Sequence, residues 1–174
     1  MTMNKARNDP VWTEIVTLLR PILGYRTEIV FPDTWSQKYL SWFREIEQDS
    51  FRESLAYSED EIGERLEKRD VLLFFVLIDG RPEGLLLGHT LDEALVETFY
   101  LDTIAVKKRG KGIGRVLVTV LIKWAKKMGY RRIQLDTEIE DEKGIRLTRF
   151  YEQFGFSIID SDDETGNITM DLEF

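Results

Sequence analysis

The sequence predicts a chain of the α/β or α+β class, with a mixed sheet carrying helices on its faces. Three observations lead there. Apolar runs joined by tight turn signals fill residues 71–106, amphipathic helical stretches precede them, and helix and strand alternate from residue 109 onward. Strands linked by hairpins beside strands linked by helical crossovers require antiparallel and parallel pairing in one sheet. The 174 residues suffice for one domain with its own core, and 43% hydrophobic with 32% charged residues is a soluble globular composition. Residues 1–174 are therefore expected to form a single domain, with residues 1–24 as an N-terminal helical extension and 25–174 as the core.

The elements follow in order. Residues 10–20 form a short helix with Pro10 near its start. Residues 25–31 alternate as a first strand, which Pro32 ends. Asp33 is placed to cap a helix whose apolar stripe is Trp35, Tyr39, Trp42, Phe43 and Ile46. Ser58 and Glu61 make a capping-box pattern for a second helix with Ile62 and Leu66 inward. The run 71–78 is a buried strand, Asp79-Gly80 a hairpin turn, and 84–90 the return. Asp92-Glu93 marks a bend before a strand over 96–106. A glycine-rich segment, 109–114, opens a helix that runs through Met128 and stops at Gly129. Residues 131–138 are a strand, 144–154 a helix stopped by Gly155, and 156–159 and 166–174 the last two strands. The acidic stretch between those two, Asp160 to Glu164, reads as a solvated hairpin turn.

Composition excludes several functions. The chain has no cysteine, so disulfide scaffolds, thiol catalysis and cysteine-ligated metals are ruled out, and a reducing cytoplasm suits it. Its one histidine, His89, cannot build a clustered-histidine zinc site and reads as structural. No metal cofactor is expected. The longest apolar run is far too short to cross a bilayer, and the first residues show no secretory pattern. A net charge of −8 argues against nucleic-acid and anionic-membrane partners. That charge is unevenly spread: residues 107–149 hold 13 of the 24 Lys and Arg but 5 of the 32 Asp and Glu, so this stretch carries +8 and the remainder −16. A basic middle in an acidic body suits a local anionic ligand or, in a blander reading, solvated helix faces.

Arg109-Gly110-Lys111-Gly112-Ile113-Gly114-Arg115 lies between an apolar strand and a helix. Glycines there let backbone amides converge on a phosphate, and the helix N-terminus adds partial positive charge. The spacing fits neither a P-loop, since Gly112 follows Lys111 where Ser or Thr is needed, nor a dinucleotide fingerprint, since Arg115 takes the place of its third glycine.

The run Leu101-Asp102-Thr103-Ile104-Ala105-Val106, followed by Arg109-x-x-Gly112-x-Gly114, resembles motif A of the GNAT superfamily of N-acetyltransferases. Phe150-Tyr151-x-x-x-Gly155-Phe156 resembles its motif B, and the element order over residues 25–174 is similar as well. The resemblance implies a mixed, mostly antiparallel central sheet with helices on both faces and a splayed parallel strand pair. It implies acetyl-CoA as cosubstrate, with the backbone of Ile104, Ala105 and Val106 pairing with pantetheine. The amides of Lys111, Gly112, Ile113, Gly114 and Arg115 would hold the pyrophosphate, Arg109 is the motif's fixed first position, and Arg146 and Arg149 are further basic groups nearby. Two positions depart from the pattern: only Lys107 and Lys108 separate Val106 from Arg109, where the family usually has four residues, and Gly144 stands where many members carry Asn.

The reaction so implied is direct attack of an amine on the thioester, which needs a proton donor for the leaving thiolate and an acceptor for the amine proton. Tyr151 matches the family's tyrosine at the CoA sulfur. Asp102 stands where several members have an acidic residue near the amine, and it is equally readable as a structural aspartate at a sheet bulge; Glu97, Asp136 and Glu138 are the reserves. The acidic surroundings favour a cationic small-molecule acceptor. A protein or peptide amine is the alternative acceptor. A non-catalytic acyl-CoA sensor on the same fold and a phosphate-binding module unrelated to CoA are the rival functions. Homodimers are common among similar proteins. Trp35, Tyr39 and Trp42 belong either to the acceptor pocket or to the core.

Overall fold

The computed structural model describes residues 5–92, 94–141 and 143–174. Glu93, half of the expected Asp92-Glu93 bend, lies outside the described residues, as do residues 1–4 of the N-terminal stretch. Seven strands, β1 (Thr27–Val30), β2 (Leu72–Ile78), β3 (Arg81–Thr90), β4 (Thr98–Val106), β5 (Arg132–Thr137), β6 (Ser157–Ser161) and β7 (Ile168–Glu173), form one sheet in the order β1-β2-β3-β4-β5-β7-β6. Every neighbouring pair is antiparallel except β4 and β5, which run parallel. The helices are α1 (Val11–Leu23), α2 (Gln37–Ser50), α3 (Glu59–Leu66), α4 (Ile113–Lys127) and α5 (Leu147–Glu152).

The sheet is buried on both faces, which explains the continuous apolar run of β2. Period-2 alternation sends Leu72, Phe74 and Val76 to one face and Leu73, Phe75 and Leu77 to the other. The first face carries α1 and α4, whose Trp12, Leu121 and Trp124 pack over Phe74 and Phe99. The second carries α2 and α3 through Phe43, Ile46 and Ile62. The N-terminal helix is part of the larger core: the Trp12 ring lies 5.5 Å from that of Trp124 and 5.4 Å from that of Phe74.

Helix ends differ from expectation where a turn captures the chain first. At α2 the cap position belongs to Ser36, whose side chain makes no capping bond, while Asp33 pairs with Arg7. The helix expected from residue 144 begins at Leu147, because the Asp141 carboxylate accepts the amides of Lys143 and Ile145 and closes a turn. The capping box at α3 forms as expected, with Glu61 N–H bonded to Ser58 and the Ser58 N–H bonded to Glu61. In the β6–β7 turn the Asp162 carboxylate accepts the amides of Glu164 and Thr165, an Asx turn.

One irregularity positions everything that follows. In the β3–β4 ladder Leu87 pairs with Thr103 and Gly88 with Leu101, so Asp102 is an extra residue on β4. The bulge depends on close approach at Gly88, where a Cβ would fall 2.5 Å from the Phe99 ring and 2.6 Å from the Tyr100 carbonyl oxygen. Neither neighbour can retreat easily, since Phe99 is fully buried and the other atom is backbone. Gly88→Ala is expected to cost about 1–3 kcal/mol, the usual range for overpacking. Thermal unfolding checks this, and an unchanged melting temperature would show that the two strands are free to move apart.

Candidate active site

The bulge opens a fork in the sheet. Parallel pairing of β4 with β5 runs from Thr98↔Arg132 to Leu101↔Leu135 and ends there, although β4 continues to Val106 and β5 to Thr137. Past Asp102 the first strand stays with β3, where Ala105 pairs with Leu85 and Val106 with Gly84. Its other edge borders a cavity of about 890 Å³ lined by Ile104, Ala105 and Val106. Backbone amides and carbonyls on such an edge can accept an extended chain as an added strand.

The start of α4 forms one end of the same cavity. Gly112 sits in the left-handed region at φ 81°, a conformation that costs glycine little, and its carbonyl accepts the Val116 N–H as the first helical bond. The amides of Ile113, Gly114 and Arg115 therefore have no carbonyl one turn earlier in the helix. Together with the helix dipole they make an anion-binding end, and all three residues line the cavity. Lys111 is exposed and outside the lining.

The basic side chains around this loop are largely engaged with protein. Arg109 binds the Ser50 carbonyl at the end of α2 and the Asp141 carboxylate, so it braces the loop. Lys107 pairs with Glu45, Lys108 lies 3.8 Å from Glu83, and Arg115 reaches Gln153 and the Phe154 ring. Arg146 and Arg149 are exposed and do not line the cavity.

Tyr151 lines the cavity from α5. It is 8% exposed and packs edge-on against Phe150 and Phe156, with ring centroids 5.1 and 5.7 Å away. Burial alone pushes its phenol pKa up, so the group carries its proton across the neutral range.

Asp102 is enclosed in a polar knot. The Tyr57 hydroxyl donates to its Oδ1 at 2.6 Å, Arg65 Nε lies 2.9 Å from its Oδ2, and the Thr103 hydroxyl is 3.3 Å from Oδ1. The Arg65 guanidinium also stacks over the Tyr57 ring at 3.8 Å. His89 Nε2 is 3.9 Å from Oδ2, and Nδ1 lies 3.0 Å from the Thr90 carbonyl, the position for an Nδ1–H donor. Burial and then the Asp102 charge raise the Tyr57 pKa to about 12. Asp102 thus borders the cavity with both oxygens committed, and its placement at the bulge is the structural alternative the sequence allowed.

On the facing strand, Asp136 is the first β5 residue beyond the fork. It accepts hydrogen bonds from the Tyr100 hydroxyl at 2.8 Å, the Thr169 hydroxyl at 2.6 Å and the Asn167 amide at 3.4 Å. Burial, followed by this bond and the Asp136 charge, raises the Tyr100 pKa and keeps that hydroxyl a donor. Glu138 also lines the cavity, paired with Arg52. Glu97 lies outside the lining, 3.5 Å from Arg69. Trp35, Tyr39 and Trp42 do not line the cavity and pack with Phe43 and Phe75, which gives them to the core. Tyr57, Arg65 and Tyr100 were not singled out as site residues from the sequence; Arg65 meets Asp102 across 37 residues, with no local pattern to announce it.

Fork, free strand edge and glycine-opened helix are features of a known family. Residues 33–156 match the family model for the acetyltransferase (GNAT) family, and the chain belongs to that family. Solved structures of the same fold include the ribosomal-protein-S18-alanine N-acetyltransferase from Escherichia coli, at 20% identity over 84% of this chain and 93% of that one, with a TM-score of 0.65. A GNAT family acetyltransferase from Elizabethkingia anophelis with acetyl-CoA bound is 18% identical over 86% and 99%, with a TM-score of 0.63. Arabidopsis thaliana Naa50, in complex with the bisubstrate analogue CoA-Ac-MVNAL, is 19% identical over 86% and 99%, with a TM-score of 0.64. No curated protein sequence matches the chain. No helix among the described residues is long and apolar enough to cross a membrane.

Two outcomes follow for the cavity wall. Asp102→Asn leaves the half-buried Arg65 without its counter-charge and is expected to destabilise the fold by about 2 kcal/mol, below the cost of a fully buried pair because the guanidinium reaches water; urea unfolding reads the loss. Burial pushes the Asp141 carboxyl up, but the amides of Ile145 and Lys143 and the Arg109 charge outweigh it and hold its pKa below the usual value. Its stabilisation is therefore whole above the unfolded carboxylate pKa of about 4 and fades as pH falls through the lower folded value. Acid unfolding of Asp141→Asn should lack that part of the pH dependence.

Proposed function

We propose that the protein is an acetyl-CoA-dependent N-acetyltransferase acting by direct attack of an amine on the thioester, with residues 25–174 as the acyltransferase core. The observation that carries this reading is the fork itself: an unpaired β4 edge leads from the open amides of α4 to a buried, protonated tyrosine within one cavity. The donor set suits the cofactor. The edge of Ile104, Ala105 and Val106 offers pantetheine its amide partners, the amides at Gly112, Ile113, Gly114 and Arg115 receive the pyrophosphate, and the +8 of residues 107–149 attracts a polyanion. Lys111 and Arg109 act at this end through charge and bracing respectively. Acetyl-CoA supplies the acyl group as a thioester.

The protein's own part is orientation and proton transfer. The β4 edge aligns the acyl group, and Tyr151 gives its proton to the departing sulfur as the new carbon–nitrogen bond replaces the carbon–sulfur bond. The attacking nitrogen releases its proton to water, and the phenol regains one from water after product leaves, so the protein returns to its starting state. Asp102 shapes the acceptor wall through Arg65 and Tyr57. A cationic small molecule is the preferred acceptor, because the acceptor side of the cavity carries Asp136 and borders the acidic β6–β7 turn. The S18-alanine enzyme and the Naa50 complex make a protein amine the second reading.

Acetyl-CoA at about 100 times its dissociation constant should add roughly 2.7 kcal/mol of stability, visible as a raised melting temperature that ATP and NAD do not reproduce. Tyr151→Phe should keep that stabilisation and lose about 10²-fold or more in kcat, the usual scale of general-acid catalysis. Retention of full turnover by the variant would remove Tyr151 from the reaction, and absence of any acetyl-CoA shift would remove the cofactor.

A further inference from the structure

Five carboxylates line the cavity, and four of them already have a cation. Glu47 pairs with Arg44, Asp102 with Arg65, Glu138 with Arg52 and Asp141 with Arg109. Asp136 has none among the described residues. Its three partners, Tyr100, Thr169 and Asn167, are neutral donors that hold the carboxylate in place and leave its charge standing. It is exposed, and it occupies the branch point of the sheet, the first residue of β5 past the last pair with β4. Asp102 is its counterpart, the first residue of β4 past that point, and is closed off by Arg65. The two arms of the fork thus carry one neutralised and one open carboxylate.

The surroundings of Asp136 extend this negative field. Residues 150–174 contain seven Asp and Glu and no Lys or Arg, directly following the basic stretch that serves the cofactor end. The β6–β7 turn, with Asp162, Asp163 and Glu164, supplies Thr165 and Asn167 to the cavity lining, and Asn167 touches Asp136. Clustered carboxylates at one side of a cavity mouth concentrate cations there.

We propose that the acceptor is an aliphatic polyamine whose reacting ammonium docks on Asp136, with the acidic β6–β7 turn attracting a second ammonium, and that Asp102 does not touch it. This rests on the acetyltransferase reading above and names its acceptor side. The docked ammonium loses one proton to water at the exposed rim, and the neutral amine attacks the thioester carbon as the carbon–sulfur bond breaks. The nitrogen releases its remaining extra proton to water, and Tyr151 protonates the departing sulfur. Asp136 acts by holding the cation at the fork, so its removal should appear mainly in KM.

Spermidine is the probe, used with the whole protein and saturating CoA so that no turnover occurs. Spermidine is expected to raise the melting temperature of the CoA-bound wild type further and to add nothing to CoA-bound Asp136→Asn. With acetyl-CoA, thiol release should show spermidine KM at least tenfold higher in Asp136→Asn with kcat within about threefold. Glu97→Gln, at a carboxylate outside the cavity lining, should keep both the spermidine increment and KM. Equal increments in wild type and Asp136→Asn, no increment in wild type, or the same loss in Glu97→Gln as in Asp136→Asn would each overturn the assignment. Stabilisation by CoA without any spermidine effect overturns only this proposal, whereas no stabilisation by CoA overturns the acetyltransferase reading beneath it.

Discussion

The extra residue at Asp102 is the constraint on which the site depends. A regular β4 could stay paired with β5 past Leu101↔Leu135 to the end of that strand at Thr137, narrowing the opening. One inserted residue changes which face each later side chain takes and leaves the strand edge without a partner for the last part of its course. The cost of that unpaired edge is met by making the bulge hard to undo. Gly88 admits the Phe99 ring where any side chain would collide, and Arg65 with Tyr57 fixes the bulged carboxylate from the helical layer on the other side.

The same bulge divides the chemistry of the cavity. The two chain segments that meet at the fork bring opposite charge to it: the loop and helix after β4 are basic, and the chain after α5 is acidic. In the proposed reaction such a separation gives the polyanionic donor and a cationic acceptor one favourable end of the cavity each. Most basic side chains near the cofactor loop are ion-paired with neighbours, so the attraction there comes from oriented amides and net field more than from individual lysines.

What the sequence made legible was local. Strand and helix order, the Asp79-Gly80 turn, the Ser58–Glu61 capping box and the glycine-opened start of α4 all depend on residues a few positions apart, and the structure has them. The two motifs around Ile104 and Tyr151 are equally local, and their residues meet at the cavity, whereas Tyr57, Tyr100 and Asn167 join its lining with no such pattern to mark them. The errors and omissions lie where distant residues meet. The helix expected at Gly144 is displaced by a turn that Asp141 closes. Arg109 stands among glycines in the loop, and its partners, Ser50 and Asp141, are distant in sequence. Whether Asp102 or Asp136 carries uncompensated charge is set by Arg65, and nothing in the spacing of residues 58–66 and 101–106 reveals that meeting.

The bracing role of Arg109 has a consequence for ligand affinity. Its guanidinium ties the glycine loop to the end of α2 and to the Asp141 turn. A two-residue link from Val106 to this arginine leaves little slack for the loop to adopt other shapes. The conformational entropy of ordering those amides is thus lost when the chain folds and not when a phosphate arrives. The anion end of the cavity is preorganised, and more of the interaction free energy of its few backbone donors is expressed as binding.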